Sequence, residues 1–87
     1  MFSRSTENNI VMNIKQFGQI LRELRLEKEL GQVALAKELN YSKAIISEWE
    51  TGKYKPSSDA LIVIAKFFDV TTDYLLGLED EFGSKIK

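Results

Sequence analysis

Residues 32–50 constrain the fold more than any other stretch. Gln32-Val33-Ala34-Leu35-Ala36-Lys37-Glu38-Leu39 and Lys43-Ala44-Ile45-Ile46-Ser47-Glu48-Trp49-Glu50 are two short helical patterns, with only Asn40-Tyr41-Ser42 between them. Leu35, Ala36 and Leu39 are spaced i, i+1, i+4, and Ile45, Ile46 and Trp49 repeat that spacing. Each segment therefore carries one narrow apolar face. Isolated helices in water need about 12–15 residues to reach even marginal stability, so neither segment stands alone. They must pack on each other and on neighbours. Ala36 is small enough to let two helices cross closely.

Two helices meeting at so tight a turn form a helix-turn-helix pattern, a unit that can set its second helix in a DNA major groove. Similar pairs also occur in small all-helical proteins with no such role, so periodicity alone leaves both readings open. Composition narrows the rest. Eighty-seven residues make one domain, and an apolar share of 44% is enough for one small core. Cysteine and histidine are absent, which removes disulfides, thiolate or imidazole metal sites and histidine acid/base chemistry. Carboxylates are scattered over helical surfaces without a clustered nucleophile and base, so the chain is expected not to be an enzyme. No apolar run approaches the roughly 20 residues of a membrane helix, and the N-terminus lacks a secretory apolar region. The expected location is the cytoplasm. Net charge is -1, distributed as nine Lys/Arg against seven Asp/Glu in residues 1–55 and three against six in 56–87. A binding face followed by an acidic end fits this asymmetry, and so does a solvated mixed surface.

Residues 1–12 read as a polar flexible arm, residues 13–77 as the folded domain and residues 78–87 as an acidic, frayed tail. Helix 1 is expected from Asn13 to about Glu29, with Asn13 and Gln16 as a capping box and Ile14, Phe17, Leu21 and Leu24 as the buried stripe. Gly31 precedes helix 2, and Asn40 supplies the left-handed residue that ends it. Tyr41 plugs the inter-helix angle, Ser42 caps helix 3, and Gly52 ends helix 3 with positive φ. Ser57 caps helix 4, which runs to Phe68 and buries Leu61, Ile64, Ala65 and Phe68. Thr71 caps a last helix over Thr72 to Leu76, anchored by Val70, Leu75 and Leu76 and stopped by Gly77.

Residues 17–76 resemble the lambda-repressor-like helix-turn-helix family, the Xre type of phage and bacterial repressors. The features that carry the resemblance are Leu21-Arg22-Glu23-Leu24-Arg25, Gln32 with Leu35-Ala36, Ser42, Ile46-Ser47, Trp49-Glu50, Gly52-Lys53, Lys55-Pro56-Ser57, Leu61, Ala65, Val70 and Asp73-Tyr74-Leu75-Leu76. Any one piece is weak, but their joint order and spacing are specific. The resemblance implies an all-α, compact five-helix domain in which helices 2 and 3 form the reading unit.

The resemblance also assigns roles. Gln32, whose amide would meet a phosphate and brace helix 3, joins Ser42, Thr51, Lys53 and Lys55 as the expected DNA-backbone set. Lys43, Ala44, Ser47 and Glu48 match groove-facing positions, and Ile45 extends this base-reading set with apolar surface. Arg25 and Glu50 match an ion pair joining helix 1 to the end of helix 3. Asp59, Thr71, Asp73 and Tyr74 lie where the family forms its dimer contact. Lys43 can donate to guanine O6 and N7, while Ala44 and Ile45 suit a thymine methyl. The Glu48 carboxylate either accepts from cytosine N4 or turns aside to pair with a lysine, leaving specificity to DNA shape. The chain departs from the family at Gly31, where a threonine-like cap is usual, at Val33, Ala34, Ala44 and Ile45, which are less polar, and at acidic Glu48. These departures bear on target and affinity more than on fold.

The expected function is a sequence-specific regulator of transcription, a repressor that binds a near-palindromic site in double-stranded DNA as a homodimer, formed at least on DNA. It would need no cofactor. The competing expectation is an antitoxin-like or accessory protein-interaction module with secondary DNA binding, suggested by exposed Val33 and Ile45 and by the acidic tail.

Overall fold

The computed structural model describes residues 14–78, and these form five helices without strands. They are α1 (Ile14–Glu27), α2 (Gln32–Leu39), α3 (Lys43–Thr51), α4 (Ser58–Phe68) and α5 (Thr72–Leu75). The all-α architecture expected from the sequence is the one observed. The arm at 1–12, the Asn13 cap and the tail beyond Leu78 lie outside the described residues, as does the side chain of Ile14.

Local chemistry starts and stops most of these helices. The Ser42, Ser57 and Thr71 hydroxyls accept from the backbone N–H groups of Ile45, Ala60 and Tyr74, at 3.2, 3.1 and 2.9 Å. Each bond satisfies one of the amides that a helix start leaves unpaired. Gly31 occupies the same place before α2 without a side-chain bond. Left-handed Asn40 (φ 64°), Gly52 (φ 80°) and Asp69 (φ 57°) end α2, α3 and α4. Their N–H groups fold back onto the last carbonyls of each helix.

Two helix ends differ from expectation. α1 stops at Glu27, and Glu29 takes a left-handed φ of 58°, although Lys28 and Glu29 are both good helix formers. The reversal lets the Leu30 amide donate to the Arg25 carbonyl at 3.1 Å and brings Leu30 onto the core. Tertiary burial thus overrides propensity. α5 ends at Leu75, with Leu76 as its cap and Gly77 in the expected left-handed conformation.

The core joins every helix. Phe17, Leu21 and Leu24 of α1 meet Leu35, Ala36 and Leu39 of α2, Ile46 and Trp49 of α3, Ala60, Ile64, Ala65 and Phe68 of α4, and Leu75 of α5. Each fully buried large side chain contributes about 1.5–3 kcal/mol. Trp49 is the hinge of this packing. Phe17 and Tyr41 both approach it edge-on, with ring centroids at 6.4 and 5.1 Å. Tyr41 therefore fills the angle between α2 and α3 as expected. Leu61 is only half-buried, and Ala60 takes the deeper position on α4.

Candidate nucleic-acid interface

The α3 surface follows from 100° of rotation per residue. Ile46 and Trp49 fix the inward side. Lys43, Ala44, Ser47, Glu48 and Thr51 then fall on one outward arc, with Lys43, Ala44 and Thr51 exposed and Ser47 and Glu48 half-buried. Ile45 lies a further 100° beyond Ala44, toward Trp49. It is half-buried against the core rather than exposed, which corrects the expectation for its side chain. Among the described residues no ion pair engages Glu48.

The arc is held from behind by a charged network. Arg25 Nε and Nη2 donate to Glu50 Oε2 and Oε1 at 2.6 and 2.9 Å, a two-pronged pair between α1 and α3. Arg25 Nη1 donates to the Leu30 carbonyl at 2.9 Å, and Gln32 Nε2 donates to Glu50 Oε1 at 3.1 Å. One carboxylate thereby fixes α1, the start of α2 and the end of α3 together. Arg25 is only 7% exposed. Its hydrogen bond to Glu50 raises the guanidinium pKa above the ordinary arginine value; desolvation opposes the rise, and the Glu50 charge adds to it. Gln32 braces α3 through Glu50, as the resemblance implied for half of its role.

The remaining site residues lie around this unit. Ser42 is exposed and caps α3, and Thr51 Oγ1 donates to the Glu48 carbonyl at 3.2 Å. Lys53 and Lys55 are exposed in the loop after α3, with Lys53 Nζ 5.6 Å from the Tyr54 ring centroid. Asp59 is exposed in the first turn of α4, whereas Thr71, Asp73 and Tyr74 belong to the α5 end.

One positioning residue is not among those expected from the sequence. A Cβ on Gly18 would lie 2.5 Å from the Trp49 carbonyl oxygen and 2.6 Å from that of Glu50. The absence of a side chain at Gly18 is what lets α1 cross α3 at the point where Glu50 reaches Arg25. The available signal was a lone glycine inside a strongly periodic helix.

Among known proteins, a family model described as helix-turn-helix matches residues 21–75. The chain is similar to the HTH-type transcriptional activator BcrR of Enterococcus faecalis, 45% identical over 65 residues, which are 75% of this chain and 32% of that protein. It is 35% identical over 69 residues to the uncharacterized HTH-type transcriptional regulator YobD of Bacillus subtilis (strain 168), covering 79% of this chain and 62% of YobD. It thus spans less than two thirds of either relative's length. In structure it is similar to the P22 c2 repressor in complex with a synthetic operator, with a TM-score of 0.66 and 32% identity over 69% of this chain and 91% of that one. By its matched residues, its five-helix fold and its braced α2–α3 unit, the chain belongs to the helix-turn-helix family, in its lambda-repressor-like, Xre-type branch.

Proposed function

We propose that this chain is a sequence-specific DNA-binding regulator of transcription that lays α3 in the major groove. The observation that carries this reading is the outward arc of Lys43, Ala44, Ser47 and Glu48, presented by a helix that a buried Arg25–Glu50–Gln32 network holds from behind. A rigid helix with an uncommitted polar face suits base readout, because donors and acceptors must be in place before binding. The P22 relative was solved on operator DNA, which supports the same use of the fold here.

Lys43 reads guanine, Ala44 packs on a thymine methyl, and Ile45 lends apolar surface at the inner edge of the arc. Gln32, Ser42, Thr51, Lys53 and Lys55 touch the phosphate backbone on either side. One α3 contacts few base pairs, so useful specificity calls for a two-fold homodimer on a near-palindrome, with contacts around Asp59, Thr71, Asp73 and Tyr74. Repression is the simpler outcome, because it needs only occupancy across a promoter. BcrR is named an activator and P22 c2 a repressor, so the position of the operator, rather than the family, sets the sign. Such a regulator works in the cytoplasm, without a cofactor and without catalysis. The second reading, a protein-interaction module, rests on Val33, which is 61% exposed at the start of α2, because Ile45 is packed against the core.

The test is selection of bound duplexes from random DNA, followed by measurement of the recovered site against scrambled sequence at several salt concentrations. The expected result is an enriched near-palindrome, bound at least about 1000-fold more tightly than non-specific DNA. Recovery of no shared sequence, with uniform weak binding, would overturn the proposal.

A further inference from the structure

On the outer face of α4 only Asp59 has been given a role so far. Ala60, Ile64, Ala65 and Phe68 turn inward, and the opposite arc of about 100° carries Asp59, Ile62, Val63 and Lys66. All four are exposed, Ile62 at 47% and Val63 at 39%. Two adjacent apolar side chains on an otherwise polar helix face gain nothing by meeting water, and an acid and a base bracket them. Asp59 and Lys66 are seven residues apart, two turns along the same face. Their midpoint falls between Ile62 and Val63. An antiparallel copy of α4, related by a two-fold axis through that midpoint, sets Asp59 against Lys66 of the other copy, twice, and Ile62 against Val63, twice. This face is self-complementary in both charge and hydropathy, as an isologous contact requires.

We propose that the outer face of α4 is a docking surface for a second copy of this chain, packed antiparallel in that register. The inference rests on the homodimer of the proposed function and centres its contact on α4: Asp59 is common to both, Thr71, Asp73 and Tyr74 lie outside this register, and it holds whether or not DNA is present. Four residues per copy are well short of the roughly 800 Å² per partner of a standard interface, so free association is weak.

The register gives a test that folding defects cannot imitate. Asp59→Lys places two lysines at each end of the interface, and Lys66→Asp places two acids there. Each variant alone is expected to associate at least about 10-fold more weakly than the parent. Mixed in equal amounts, the two regain both opposite-charge pairs and form a heterodimer, and the double variant D59K/K66D dimerises with itself. Mixing cannot repair a misfolded chain, so recovery on mixing reports the interface itself. Sedimentation equilibrium from about 10 µM to 1 mM at low salt, where surface charges are least screened, supplies the readout. A parent that stays monomeric throughout overturns the proposal. So do single variants that associate as well as the parent, or a mixture that behaves as the average of its parts. Any of these leaves the DNA-binding reading standing if site selection succeeds. Conversely, a dimer with the expected mixing behaviour and no DNA preference removes the DNA reading alone.

Discussion

Arg25 sits at 7% exposure beside the apolar core, which would be costly for a lone charge. Three of its nitrogens are used: Nε and Nη2 on Glu50 and Nη1 on the Leu30 carbonyl. Removing either charge strands the other. Arg25→Ala or Glu50→Ala is expected to destabilise the domain by roughly 3–5 kcal/mol in urea unfolding, while replacing both with apolar residues of similar volume should recover most of that. A loss under about 1 kcal/mol in each single variant would mean the pair behaves as a solvated surface contact. A raised arginine pKa contributes stability that is complete below the unfolded value and lost only as pH rises through the folded one. The Arg25 contribution is therefore constant across neutral pH. The pair was legible in the sequence through the family resemblance, and the Leu30 carbonyl was not, because backbone acceptors leave no mark on residue type. Glu48 is the opposite case, a half-buried carboxylate without an ion-pair partner among the described residues. Glu48→Gln removes its repulsion from phosphates and adds a donor. Overall affinity is expected to rise and preference to shift at one base position, by roughly 1–3 kcal/mol. An equal change across every operator variant, measured by fluorescence anisotropy, would take Glu48 out of the reading set.

At the scale of helices, caps were readable and crossings were not. Ser42, Ser57, Thr71, Asn40, Gly52 and Gly77 act through their own hydroxyl or their own φ, so residue identity announces the role. Gly18 acts through Trp49 and Glu50, about thirty positions away, and only the fold reveals the contact. The same non-locality hid the early end of α1 and the inward turn of Ile45. Gly18 and Gly31, at the two ends of this contrast, give opposite predictions. Gly18→Ala drives a methyl group against two backbone carbonyls that cannot rotate aside, and is expected to cost about 1–3 kcal/mol or more by forcing α1 from α3. Helix propensity alone would favour alanine by up to about 1 kcal/mol, so the sign of the effect decides whether the crossing is as close as described. A Cβ on Gly31 meets nothing within 4 Å, and its φ of -77° suits any residue. Gly31→Ser should therefore supply the hydroxyl that α2 lacks. The expected gain is a few tenths of a kcal/mol, seen as a rise of one to a few degrees in thermal midpoint. A fall in midpoint would show that Gly31 is needed for something other than its backbone.

Over the whole molecule, a net charge of -1 gives no general attraction to DNA, so binding depends on where the cations sit. Lys43 lies on the outward arc of α3, and Lys53 and Lys55 lie in the loop that follows α3, all exposed. Pro56 is buried directly after Lys55, which anchors the loop and holds its lysines near the end of α3. The outward positions were legible for this reason: helix periodicity separates outward from inward residues, and loop lysines are surface groups by default. What the site reads was not legible, because hydrogen-bond partners on a base edge are set by docking angle, which no intramolecular contact fixes. Backbone contacts are less demanding, since a phosphate accepts a lysine from many directions. Lys53→Ala/Lys55→Ala together should weaken binding to operator and to scrambled DNA by the same factor, leaving the ratio between them unchanged. Each phosphate that goes unneutralised should also reduce the steepness of log affinity against log salt by about 0.9, or about 1.8 for the pair in each protomer. Lys53 is partly occupied by the Tyr54 ring, 5.6 Å away, so Lys55→Ala alone is expected to account for at least half of the change. A titration from low to physiological salt decides it. If the slope is unchanged while affinity falls, the loop shapes α3 and does not touch the backbone; if the operator-to-scrambled ratio falls, at least one of these lysines reads a base.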